Sequence, residues 1–311
     1  MGQFIGHKNV IESFKKRADS GEISHAHIIV GEDGIGKSNL ANKLSRIILG
    51  KFEERDYIDI INYRCKKASF GVDDVRGIVD EINKKPFEGD KKVIIIYDGN
   101  KLTVQAQNAL LKTIEEPPKG VYIILLCESL ELILDTIKSR CQIYKLTPLT
   151  KEDVRLYIDR INDDSFSQEE INAAIAYSEG MPGRAEAFLR DSSLKELRNT
   201  LVDLLFLITK SNPKELLDFE AKITVFKDKK EDILNILASF VRDIIIYKEI
   251  RDGNGIINGD KIESIKKIAM EMSYKKLNNI IDKIGEARRS LLSNSNFQLT
   301  IRVMLIGFME V

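Results

Sequence analysis

With 311 residues, 43% of them apolar, the chain is long enough for two or three domains with cores of their own. Its 48 basic and 48 acidic residues cancel, which argues against strong nucleic-acid binding by the chain alone. Cys65, Cys127 and Cys141 make no even disulfide set and no C-x-x-C pair, and no apolar run is long enough to cross a bilayer. A soluble cytoplasmic protein without membrane contact, structural disulfide or zinc is expected.

In chain order, Val10, Ile11, Phe14 and Ala18 form one face of a helix over Asn9 to Ala18, with Lys15-Lys16-Arg17 solvated opposite. Ala26 to Val30 is a buried strand. It leads into Gly31-Glu32-Asp33-Gly34-Ile35-Gly36-Lys37-Ser38, a full match to the phosphate-binding loop Gly-x4-Gly-Lys-Ser/Thr. Leu40, Leu44, Ile47 and Ile48 then continue at helical spacing from Asn39 to Leu49, so the motif has its required strand–helix setting. Tyr57 to Tyr63 reads as a second strand, and Val72 to Ile82 as a helix ended by Pro86 and Gly89. Lys92 to Tyr97 and Val121 to Leu126 are continuous apolar runs, typical of strands buried on both faces. Between them lies a helix over Thr103 to Glu116, capped by Thr103 and stopped by Pro117-Pro118. A helical turn and a last strand, Gln142 to Leu146, complete an α/β pattern of parallel sheet with helices on both faces.

After Pro148 the periodicity is helical throughout. Thr150 with Asp153 and Ser167 with Glu170 mark capped starts, Gly180 is suited to a helix end, and Gly183-Arg184 opens a short helix ending near Leu189. Long helices follow from Ser193, with breaks at Asn212-Pro213, Lys227 to Lys230 and Asp252-Gly253-Asn254-Gly255. Three domains are therefore expected: 1–147 nucleotide-binding, 148–192 a small helical lid, and 193–311 an all-α domain.

The loop's chemistry follows from its residue types. Glycines Gly31, Gly34 and Gly36 let backbone N–H groups, including those of Ile35 through Asn39, converge on an anion at a helix start. Lys37 suits the β- and γ-phosphates, and the Ser38 hydroxyl suits a magnesium ion if Mg-nucleotide is bound. Hydrolysis needs a carboxylate at the end of a neighbouring strand. The matching strand ends in Tyr97-Asp98-Gly99-Asn100, with tyrosine at that position and Asp98 one residue late. ATP or ADP is therefore expected to bind, with magnesium, and not to be turned over.

The stretch Thr103 to Pro118, including Ala109-Leu110-Leu111-Lys112 and Glu115-Glu116-Pro117-Pro118, resembles the signature of the clamp-loader branch of AAA+ proteins. Ser139-Arg140-Cys141 matches that family's Ser-Arg-Cys motif. Ile5-Gly6-His7, His25-Ala26-His27 and Met181-Pro182-Gly183-Arg184, the last similar to the sensor-2 segment, also fit. The resemblance covers the first two expected domains; the last third shares its helical character and its Asn296-Phe297-Gln298-Leu299 ending. It implies an α/β AAA+ domain, a lid and a C-terminal collar that holds a five-membered ring together.

Within the family, Tyr97 and the Cys127-Glu128-Ser129 segment at the sensor-1 position depart from the ATP-hydrolysing tau/gamma type and resemble the delta-prime type of bacterial DNA polymerase III. Only Cys65 lies where many members carry a four-cysteine zinc module. The resemblance implies Arg140 as an arginine finger entering a neighbouring subunit's ATP site, and Arg184 as a lid residue reaching bound nucleotide. It also implies tau/gamma- and delta-type partners in a hetero-pentamer, with the sliding clamp and primer–template DNA met through the assembled complex. The chain alone would have no polymerase and little or no ATPase activity. Against these stand a structural salt bridge for Arg140 and a surface charge for Arg184. For the whole chain the alternatives are a motor subunit using Asp98, or an adaptor with an empty loop.

Overall fold

The computed structural model describes residues 4–65, 67, 69–162, 165–210, 213–251, 253, 255–293 and 295–309. These pack as two compact units. The first comprises residues up to Tyr157 together with Gly180–Gly183; the second comprises Ile158–Glu179 and Arg184 onward. The segment expected as a separate lid is thus divided between the two.

The first unit is built on strands β1 (Ala26–Val30), β2 (Ile60–Tyr63), β3 (Lys92–Ile96), β4 (Val121–Cys127) and β5 (Gln142–Lys145). All pairings are parallel, in the order β2-β3-β4-β1-β5. Helices α1 (Lys8–Asp19), α2 (Lys37–Ile48), α3 (Val72–Ile82), α4 (Val104–Glu115) and the short α5 (Asp135–Lys138) cover it. Strand alternation sorts the side chains. Ile29, Val93, Ile95, Ile124 and Leu126 pack with Phe14 of α1 and Leu40 and Leu44 of α2. Ile28, Ile94, Ile96, Ile123 and Leu125 pack with Val75 and Ile78 of α3, Leu110 of α4 and Ile137 of α5. Both faces are dry, which is why these strands read as unbroken apolar runs; each such side chain buried contributes about 1.5–3 kcal/mol.

The expected helix starts are present. Thr103 accepts the Ala106 N–H at the start of α4. The second strand is shorter than expected, because the buried Asp59 carboxylate accepts the N–H groups of Phe87 (2.6 Å) and Glu88 (2.8 Å) and ties Tyr57 to Asp59 into a turn. The helix after the phosphate loop starts at Lys37 rather than Asn39.

Helix α6 (Lys151–Ile161) carries the chain from the first unit into the second. There follow α7 (Gln168–Ser178), α8 (Pro182–Arg190), α9 (Ser192–Lys210), α10 (Pro213–Thr224), α11 (Lys230–Ile250), α12 (Ile262–Glu271), α13 (Tyr274–Leu292) and α14 (Phe297–Gly307). Ser167 and Glu170 form the expected capping box on α7. Pro182, whose missing N–H costs nothing in a first turn, starts α8 one residue early. The break at Lys227 is a single 3-10 turn, and Pro213 opens α10; Asn212, Asp252 and Asn254 lie outside the described residues. In the second unit α11 packs against α9, α12 and α13, and α14 against α10 and α13, around Leu201, Leu237, Phe240, Ile280 and Phe308. Among the described residues no helix is long and apolar enough to cross a membrane.

Candidate functional site

The phosphate loop leaves the carboxyl end of β1 and enters α2. Gly34 (φ 82°) and Gly36 (φ 102°) sit in the left-handed region, where a side chain would be strained, and this turns the loop. The Ile35 side chain is buried in the core under α2, which leaves only its backbone for a ligand. Helix α2 has no side-chain cap, so its first-turn N–H groups, from Lys37, Ser38 and Asn39, lie at a helix start. Ser38 is partly buried and Asn39 exposed. The Gly31 N–H donates to the Cys127 carbonyl at 3.2 Å, fastening the loop to the end of β4.

Lys37 Nζ donates to the loop carbonyls of Gly31 (2.7 Å) and Glu32 (2.9 Å). Burial lowers its pKa, while the charges of Asp33, Glu128, Cys127 and Asp98 act the other way. His7 Nε2 lies 3.4 Å from the Ile35 carbonyl oxygen. On another side the Gly183 N–H donates to the Gly34 carbonyl at 2.8 Å. A Cβ on Gly183 would stand 2.8 Å from the Gly34 Cα, so only glycine permits this approach.

Tyr97 follows β3 and is buried in the same core as Ile35 and Leu40. Its hydroxyl donates to Asn62 Oδ1 at 3.0 Å, and the Arg64 guanidinium lies 3.8 Å from its ring centroid. Asp98 adopts a left-handed conformation (φ 54°) and pairs with Lys101 at 3.5 Å. Cys127, at the end of β4, is buried, and burial pushes its thiol up to about 11, so it behaves as a small apolar residue. Among the described residues no cluster of three His, Cys, Asp or Glu side chains could hold a metal.

Arg140 lies between α5 and the edge strand β5. Its Nε is 2.7 Å from Glu115 Oε1, and Nη1 donates to the Thr136 carbonyl (2.9 Å) and Ser139 Oγ (3.2 Å). The side chain remains 41% exposed. Arg184 belongs to the second unit, where its Nη1 is 3.8 Å from Glu179 Oε2.

Residues 6–150 match the family described as DNA polymerase III, delta subunit, and residues 193–310 that described as DNA polymerase III, delta subunit, C terminal. The chain belongs to the DNA polymerase III delta subunit family. The delta-prime subunit of Bacillus subtilis DNA polymerase III is 25% identical over 93% of this chain and 92% of its own length. The gamma subunit of Buchnera aphidicola (subsp. Schizaphis graminum) is also 25% identical, over 98% of this chain and 93% of its own. A crystal structure of a gamma subunit-related protein from Thermotoga maritima superposes with a TM-score of 0.55 at 20% identity, covering 96% of this chain and 98% of that one, and supports the fold.

Overall identity does not separate the delta-prime from the gamma relative, since both stand at 25%. What the site shows is a tyrosine, Tyr97, directly after β3, followed by Asp98. Gly183 is legible in the segment Met181-Pro182-Gly183-Arg184, though its approach to Gly34 is not; Asn62 and Arg64 carry no signal in the sequence, because only strand pairing brings them beside Tyr97.

Proposed function

We propose that the chain serves as a non-motor, delta-prime-type subunit of the replicative sliding-clamp loader, binding ATP or ADP at Gly31–Ser38 without turning it over. The observation that carries this reading is Tyr97. It stands where a hydrolysing site needs a carboxylate, and its hydroxyl is committed to Asn62. Asp98, the nearest acid, is turned into a left-handed conformation and paired with Lys101. A motor reading would have to route hydrolysis through that residue.

In this reading the chain takes its place among tau/gamma- and delta-type subunits in a five-membered ring in the cytoplasm, and meets the sliding clamp and primer–template DNA through that assembly. Arg140 is presented to the neighbouring subunit's ATP. A planar, permanently charged guanidinium suits a γ-phosphate, and exchange of Glu115 for phosphate is an exchange of one oxyanion for another.

The test is ATP turnover by the purified chain, with and without primer–template DNA, alongside a nucleotide-binding titration. Binding without turnover is the expected result. Turnover that disappears in Lys37→Ala would make the chain a motor, and absence of any binding would make it an adaptor.

A further inference from the structure

The end of β4 is fastened to the first residue of the phosphate loop. Val30 stands opposite Cys127 in the β1–β4 register, and the Gly31 N–H donates to the Cys127 carbonyl at 3.2 Å. Glu128 therefore leaves β4 directly beside Gly31, about one strand spacing away, ~5 Å. Lys37 Nζ bonds the Gly31 carbonyl at 2.7 Å, which brings the loop's lysine to the same point. Strand alternation sets the side. Ile124 and Leu126 of β4 pack in the core under α2, whereas Ile123, Leu125 and Cys127 pack in the opposite core. Glu128 continues the series of Ile124 and Leu126 and falls on the α2 side, the side from which Lys37 comes. Burial lowers the Lys37 pKa, and the charges that oppose this are led by Asp33, within the loop itself, and then by Glu128.

Glu128 is exposed, and among the described residues its carboxylate has no hydrogen bond or ion pair; its backbone N–H is engaged with Asn100 Oδ1 at 3.4 Å. Asp98, the other strand-end acid that acts on Lys37, is paired with Lys101 at 3.5 Å. Glu128 is thus a negative charge without a fixed partner at the mouth of an anion-binding loop. Its place along a bound nucleotide follows from the loop. The lysine of such a loop reaches the β- and γ-phosphates, and the ends of neighbouring strands face the same terminal phosphates. The carboxyl end of β4, hydrogen-bonded neighbour of β1, lies on that side. A diphosphate leaves the carboxylate its place beside Lys37. A triphosphate brings a further anion against it, and like charges a few ångströms apart at a partly dry site cost about tenfold or more in affinity.

We propose that Glu128 makes this loop selective for a nucleoside diphosphate over the triphosphate, its carboxylate standing beside Lys37 in place of the terminal phosphate. This rests on the reading that the loop binds nucleotide, and it names which nucleotide. It also accounts for an intact phosphate grip in a chain that turns nothing over: a loop that holds the diphosphate has no bond left to break. Discrimination comes from one exposed side chain, so the core under α2 and the loop's backbone donors serve both nucleotides alike.

The experiment is calorimetric titration of the full chain with ADP and with ATP in excess magnesium. The triphosphate carries the extra negative charge in its magnesium complex too, so the ion leaves the contrast in place. Wild type should bind ADP ~10-fold or more tighter than ATP. Glu128→Gln, which keeps the shape and removes the charge at an exposed position, should bring the two Kd values within about threefold of each other. Glu128→Lys should reverse the order and favour ATP. A merely structural role for Glu128 would weaken both nucleotides alike and leave their ratio where it was, which overturns the proposal. So does wild type binding ATP as tightly as ADP or tighter, the result expected if the carboxylate held the nucleotide's magnesium ion. Binding that survives Lys37→Ala unchanged would lie away from the loop and overturn it as well. A wild-type chain that binds neither nucleotide defeats the nucleotide reading itself and is told apart by that outcome.

Discussion

Arg140 Nε lies 2.7 Å from Glu115 Oε1, joining the start of the edge strand to the last residue of α4. Both side chains are close to half exposed, so this pair contributes at most ~1 kcal/mol to stability and holds the guanidinium in a defined place without burying it. Arg140→Ala should therefore leave the fold and the assembly intact. In a reconstituted clamp-loader complex it should slow the neighbouring subunit's ATP hydrolysis by a large factor, ~10³ if the arginine acts as fingers do in other nucleotide hydrolases. An unchanged hydrolysis rate in the assembled complex would remove the finger assignment and leave the pair with Glu115 as the residue's role.

Lys37 bonds two carbonyls of its own loop, which keeps the ammonium at the loop's mouth. Lys37→Ala removes these bonds at a cost of about 1 kcal/mol each or less, so the chain should fold and assemble. Nucleotide affinity should fall by at least ~10-fold in calorimetry, because the phosphate loses a charge-assisted partner. A variant that cannot enter the complex would show that the loop's role is structural.

Asp243 organises the second unit's buried polar network. Its carboxylate, fully buried, accepts the Ile257 N–H (3.1 Å), the Asn258 N–H (2.7 Å) and Asn258 Nδ2 (2.8 Å). Asn258 Oδ1 in turn accepts from Arg198, which grips Asp260 with two bonds and stacks on Phe188 at 3.9 Å. Asp243→Ala strands these donors away from water and should cost ~3–5 kcal/mol, read as a lowered thermal midpoint. A midpoint equal to wild type would mean that the 255–261 loop finds other partners.

His27 carries a pH dependence of known sign. Burial, beside the rings of Phe14 (5.3 Å) and Tyr144 (5.8 Å), holds its pKa down to about 4. The unfolded imidazole titrates near 6.5, so between these values the unfolded chain binds more protons and stability falls as the pH drops. The loss should approach ~3 kcal/mol by pH 4. His27→Phe keeps an aromatic ring in the cluster and should flatten this part of the profile in urea unfolding measured across the pH range. A slope identical to wild type would show that other groups carry it.

The local pattern carried much of this protein. The phosphate loop, the buried strands and the helix caps at Thr103 and Ser167 are each set by residues within a few positions of one another, through backbone freedom at glycine, side-chain alternation and hydrogen bonds to the next turn. The tyrosine at the end of β3 was legible for the same reason, since it is read by counting along one strand. What surrounds it was not. Asn62 and Tyr97 are 35 positions apart and meet because β2 pairs with β3; Gly34 and Gly183 meet through a backbone approach that a Cβ on Gly183 would block. The same holds for Asp59, whose buried carboxylate turns the start of an apparent strand into a loop by capturing two amides from residues 87 and 88. Spacing along a chain determines element type because the forces that set it act locally. The partners of Tyr97, Arg140 and Asp59 were decided by tertiary packing, which brings distant polar groups together and requires each buried one to find a bond.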